Sequence, residues 1–158
     1  MREFRIRFIN SQDIIGRAID LATNSLWDHT ELETEAHTYI GAHAGTGIEE
    51  KAYNWCKPSR ERRYAIPCTD EQYTKMMAFA RSKIGTPYNY LDIAGLFLHN
   101  RHLNSSAREE CAQFVFQVAV SGGLWMLNAL PQYSNLITPE TLHLSPLLIR
   151  HCIYIFGE

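Results

Sequence analysis

The stretch HTELETEAHTYIGAHAG, residues 29–45, decides the fold. Polar and apolar residues alternate through HTELET (29–34) and again through HTYIGAHAG (37–45), with Glu35 and Ala36 between them. A period of two marks a half-buried strand, and two such runs joined by a short polar break read as an antiparallel β-hairpin. On that alternation His29 shares a face with Glu31 and Glu33, and Leu32 points to the other. A three-residue loop (35–37) sets His29 opposite His43 and Glu31 opposite Gly41. A two-residue loop slips the ladder by one and sets His29 opposite Ala42. In the first register the side chains of His29 and His43 are close enough for one ring to orient the other.

Outward from the hairpin, EFRIRFI (3–9) sets Phe4, Ile6 and Phe8 against Arg5 and Arg7 and reads as a strand. SQDIIGRAIDLAT (11–23) has a helical apolar face, with Asn10 or Ser11 as cap. GIEEKAYNW (47–55) and ERRYAIP (61–67) read as two more strands. Thr69 caps a helix over DEQYTKMMAFARSKIG (70–85), with Gly85 as its stop. TPYNYLDIAGLFL (86–98) predicts a turn and a short helix, and ECAQFVFQVAVSGG (110–123) a strongly apolar helix. TPETL (138–142) is a capped turn, and IRHCIYIF (149–156) is a closing strand. Strands early, helices late and one strand at the end give an α+β class, an antiparallel sheet packed on helices. The 158 residues suit a single domain, 1–158.

Composition narrows the function. A hydrophobic content of 46% with 20% charged residues is that of an ordinary globular chain. A net charge of -2 gives no electrostatic reason for nucleic acid as partner. The run SRERRY (59–64) reads as a solvated strand face. No apolar stretch is long enough for stable membrane insertion. MREFRIRFINSQ (1–12) alternates charge where a secretory signal would run apolar, so the expected location is cytoplasmic. Phage association or export by a signal-independent route remains compatible. In that setting free thiols are the default for Cys56, Cys68, Cys111 and Cys152.

Among the thiols, Cys111 has the most suggestive place, near the start of an apolar helix, where the dipole favours thiolate. Caps at Ser105 or Ser106 would place it one turn further in. Cys152 alternates with its neighbours in a strand and reads as a packing residue. His37, His43, Cys56 and Cys68 offer metal donors, but their spacing matches no closed structural zinc motif. The expectation is therefore no metal and no cofactor.

The ordered pieces resemble the circularly permuted NlpC-type cysteine peptidases of the papain-like superfamily, most of all the short stand-alone members of phages and bacteria. WDHTELETEAHTYIGAHAGTGI (27–48) is similar to that family's histidine hairpin, and IGTPYNYLDIAGL (84–96) to its Gly-x-Pro-Tyr segment. EECAQFVFQVAVSGGL (109–124) resembles its cysteine helix, and ITPETL (137–142) its Thr-Pro-x-x-Leu ending. The resemblance implies a papain-like fold with Cys111 as nucleophile and His29 as base. The family's Ser-Glu after the cysteine is Ala112-Gln113 here, and Asp28 stands in place of serine before the histidine. The family's third polar residue falls near Gly41, so His43, on the same strand face, stands in for it. By analogy Tyr88 lies on the oxyanion side of the site.

The implied activity is a thiol hydrolase, a cysteine peptidase or amidase acting on a peptide or a peptidoglycan-like substrate. Two alternatives use the same scaffold. One is acyl transfer on lipids, as in lecithin–retinol acyltransferase-like relatives. The other is a non-catalytic phage or interaction module.

Overall fold

In a computed structural model, residues 1–11, 25–87, 110–128 and 137–156 are described. The strands are β1 (Arg2–Asn10), β2 (His29–Glu33), β3 (Thr38–His43), β4 (Gly47–Ala52), β5 (Arg60–Cys68) and β6 (Cys152–Phe156). The helices are α1 (Asp70–Ser82), α2 (Cys111–Ser121), α3 (Pro139–His143) and α4 (Pro146–Ile149). The six strands form one antiparallel sheet in the order β4-β3-β2-β1-β5-β6. The α+β class and the helix-backed antiparallel sheet follow the sequence reading.

Alternation along β1 assigns the two faces. Phe4, Ile6 and Phe8 join the core with Leu32, Ile40 and Ala42 of the hairpin. Helix α2 packs on this face through Phe114, Val115 and Val118, all fully buried. Each such apolar side chain taken from water stabilises the fold by about 1.5–3 kcal/mol. Arg5 and Arg7 point the other way and pair across the strand with Glu33 and Glu31. We call this the outer face.

Helix α1 begins as its sequence dictates. The Thr69 side chain accepts from the Gln72 backbone N–H, and Gln72 returns the bond to the Thr69 backbone. This reciprocal cap satisfies two backbone donors that a helix start leaves orphaned. Tyr73, Met76, Met77 and Ala80 form its buried stripe. The chain then meets β4, where the Ile48 N–H donates to the Thr86 carbonyl at 2.8 Å. Gly47 permits this approach: its φ is +85°, and a Cβ there would sit 2.2 Å from that carbonyl oxygen.

Strand β6 departs from expectation. It pairs with β5, but all five of its residues are exposed, Cys152 among them. The helices expected over 11–23 and 86–98 lie largely outside the described residues. Among the described residues no helix is long and apolar enough to cross a membrane.

Candidate metal centre

The hairpin adopts the three-residue register. Leu32 pairs with Ile40 and Glu33 with Tyr39. The turn is closed by the Thr34 N–H donating to the Thr38 carbonyl at 2.9 Å, and His37 takes φ 55°. Continued along the strands, this ladder sets Glu31 across from Gly41 and His29 across from His43. The two imidazole rings lie with centroids 4.8 Å apart.

Between them sits Glu31, fully buried. Arg7 donates from Nη1 to Glu31 Oε1 at 3.0 Å, and Trp55 Nε1 lies 3.2 Å from both carboxylate oxygens. The other oxygen, Oε2, is 3.4 Å from His29 Nε2 and 3.9 Å from His43 Nε2. Neither contact has hydrogen-bond geometry, so both Nε2 atoms are buried without a hydrogen-bond partner. Buried polar atoms normally find one, and each exception calls for a reason. Two exceptions here converge on one carboxylate.

These three residues offer one donor atom each, all within 4.8 Å of one another. Donors around one tetrahedral zinc stand roughly 3.3 Å apart, for bonds near 2.0–2.1 Å. Small side-chain adjustments would bring the set to that spacing. Two imidazole nitrogens and a carboxylate oxygen suit a divalent first-row metal. Gly41 leaves the space open. A Cβ there would meet Glu31 Cβ at 2.9 Å and both Nε2 atoms at 3.4 Å. Burial, then the charges of His29 and Lys51, push His43 down to about 2, so it stays neutral, the form a metal requires. Arg7 holds Oε1 and Trp55 Nε1 reaches both oxygens, as outer-sphere partners fix a ligating carboxylate.

Cys111 lies elsewhere. It is the first residue of α2, with Glu110 as N-cap, so an earlier cap at Ser105 or Ser106 does not push it further in. Its thiol is fully buried and donates to Glu110 Oε1 at 3.2 Å. Burial and the Glu110 charge hold it well above the usual thiol value, against a backbone hydrogen bond at Thr30 that lowers it. Cys111 belongs to the helix-side core with Leu32, whereas His29 points with Glu31 to the outer face. The pairing of Cys111 with His29 expected from the sequence is therefore not assembled. The cause is the strand pleat: Thr30 and Leu32 take the helix side, and His29, one residue away, takes the other.

Of the remaining candidates, His43 stands beside His29 as the register required. Tyr88 lies outside the described residues. His37 is at the turn, its Nδ1 3.2 Å from Glu33 Oε1, away from the converging set. The set His37, His43, Cys56 and Cys68 does not come together. The run SRERRY is not a purely solvated face, because Glu61 is buried and ion-paired. Glu31 and Trp55 had no role in the sequence reading. The signal for Glu31 was present: a His-x-Glu spacing on a strand puts both donors on one face.

No family model matches the chain, and no curated protein matches it. Among solved structures it is similar to the crystal structure of metalloprotein yiiX from Escherichia coli O157:H7, with a TM-score of 0.58 and 18% identity. The match covers 77% of this chain and 66% of that one, just under two thirds of its length. At that identity the likeness is one of fold.

Proposed function

We propose that this protein binds a divalent metal ion of the zinc type at His29, Glu31 and His43, and that the centre is hydrolytic. One observation carries the reading: two buried imidazole Nε2 atoms without hydrogen-bond partners face one buried carboxylate oxygen. The fold neighbour is itself described as a metalloprotein, which fits the same reading. Three protein donors are the usual set of a catalytic zinc, whereas structural sites are closed by four.

His29 and His43 would hold the ion through Nε2 and Glu31 through Oε2. Arg7 keeps Oε1 engaged while Trp55 Nε1 reaches both oxygens, so that Oε2 is the oxygen turned to the histidines. Bound there, the ion would supply Lewis acidity and a water of lowered pKa. Trp55 partly covers the donors: it stands edge-on to His43 at 4.8 Å between ring centroids and edge-on to His29 at 6.0 Å. An amide bond, as in a peptide, is the substrate class that the sequence resemblance implies.

A second reading keeps thiol chemistry. Its support is the position of Cys111 as the opening residue of an 11-residue helix. It requires a base on the helix-bearing side of the sheet, where His29 does not point.

Calorimetric titration of the metal-stripped protein with zinc tests the proposal. The expected result is one equivalent bound, with His29→Ala and His43→Ala each weakening binding at least about 100-fold and Cys111→Ala binding normally. Absence of zinc binding in the wild type, or normal binding by the His29→Ala/His43→Ala double variant, would overturn it.

A further inference from the structure

Arg7 lies between two carboxylates in the outer layer. Its Nη1 is 3.0 Å from Glu31 Oε1, and its Nε is 2.9 Å from Glu61 Oε1. Its guanidinium rests over the Tyr39 ring, 4.5 Å from the centroid. Glu61 Oε1 also accepts from Arg63 Nε at 2.5 Å. The Arg7, Glu31 and Glu61 side chains are 3%, 0% and 9% exposed, so these charges interact with little solvent screening. A line of alternating charge, Arg63–Glu61–Arg7–Glu31, thus crosses β5, β1 and β2 and ends at the two histidines.

We infer that Glu61, acting through Arg7, sets how strongly Glu31 holds a cation. The inference rests on the metal reading above and names a positioning residue for that site. Glu61 is not one of the converging donors. While it is charged, Arg7 is shared between two carboxylates, and Glu31 keeps much of its donor strength. With Glu61 neutral, Arg7 pairs with Glu31 alone. A cation entering beside Glu31 then meets a guanidinium that nothing else offsets. Loss of a partner in direct contact with a ligand typically lowers metal affinity about 10–100-fold, and an effect of that order is expected when Glu61 is lost through Arg7. Arg63 acts with the opposite sign. It is the more exposed end of the line, at 20% side-chain exposure, and it draws Glu61 away from Arg7. Without Arg63, Glu61 belongs wholly to Arg7 and the donor strength of Glu31 rises.

A purely structural role for Glu61 makes a different forecast, a less stable fold with unchanged affinity for metal. The experiment titrates metal-stripped wild type, Glu61→Gln, Glu61→Asp and Arg63→Gln with cobalt(II), read by its visible absorption, and melts each metal-free variant in parallel. The expected result is one cobalt per chain throughout, with affinity about 10–100-fold weaker in Glu61→Gln, recovered in part by Glu61→Asp, and tightened severalfold in Arg63→Gln. If the wild type binds cobalt and Glu61→Gln binds it equally well, the inference is overturned while the metal site stands. If Glu61→Gln does not fold, unchanged or weakened affinity in Arg63→Gln overturns it instead. If the wild type binds no cobalt, the metal reading itself is lost.

Discussion

On the helix-bearing side of the sheet, Phe4, Ile6, Phe8 and Leu32 meet Phe114, Val115 and Val118 with hardly a polar atom between them. One residue along each strand, on the outer side, Arg7, Glu31, Glu61 and His43 are also buried, but as charges and rings set against one another. The two faces share the same backbone and differ in what holds them. Apolar packing is non-directional and tolerates small shifts. A buried charged layer is stable only while each member keeps its partner. Partners are incomplete at several buried atoms of the described residues, and at the two imidazole nitrogens two such atoms face one carboxylate oxygen, which is why the metal reading is placed there. Cys111 sits on the apolar side, where burial and Glu110 both disfavour the thiolate, so an unreactive thiol is the expectation there.

Perturbing one face and reading the other sharpens this contrast. The largest effect is expected on the apolar side. Phe116→Ala removes a fully buried ring and should cost about 3–5 kcal/mol in urea unfolding, while folded protein still takes up one zinc with unchanged affinity. Zinc affinity falling in step with stability would break the separation of the faces. Gly41→Ala should do the reverse. The added Cβ crowds Glu31 Cβ and both Nε2 atoms, so zinc binding should weaken at least about 100-fold for a stability cost of only about 1–3 kcal/mol.

The smallest effects concern the thiol. In folded protein at neutral pH, iodoacetamide should label exposed Cys152 and leave Cys111 unmodified, as mapped by mass spectrometry. Fast labelling of Cys111 would restore the thiol chemistry to contention. A linkage effect accompanies this. The folded-state value of Cys111 is raised, so its contribution is fully present below the ordinary thiol value and is lost as pH climbs beyond it. Above about pH 9 that loss approaches 1.4 kcal/mol per pH unit. Cys111→Ala should remove this component from the difference between unfolding curves at pH 8 and pH 10.

Much of this was legible in the residues. Alternation found the hairpin but left two registers open; the structure takes the one with the loop at 35–37, which brings His43 to His29. The same alternation placed His29 on the side of Glu31 and away from Leu32. Phe4, Ile6 and Phe8, set against Arg5 and Arg7, marked the face that helices would cover. Those two facts together separate His29 from the helix of Cys111. The ordered resemblance to a cysteine peptidase suggested the opposite, because motif order along a chain carries no information about the face of a strand. Arg7 as a shared partner was not legible, since it depends on β1 lying between β2 and β5. Nor was Trp55, which reaches Glu31 from the connection after β4. Strand β6 misled in another way: Cys152 reads as a packing residue, yet it lies in an edge strand exposed along its whole length.

The central claim is that the outer face, at His29, Glu31 and His43, is where a metal ion binds. Anomalous diffraction at the zinc edge, from crystals of the full chain grown with one equivalent of zinc, tests it most directly. The account predicts a single strong peak bonded to Nε2 of His29, Nε2 of His43 and Oε2 of Glu31, each at roughly 2.0–2.2 Å. No peak among these residues, or a peak at Cys111 instead, would contradict it.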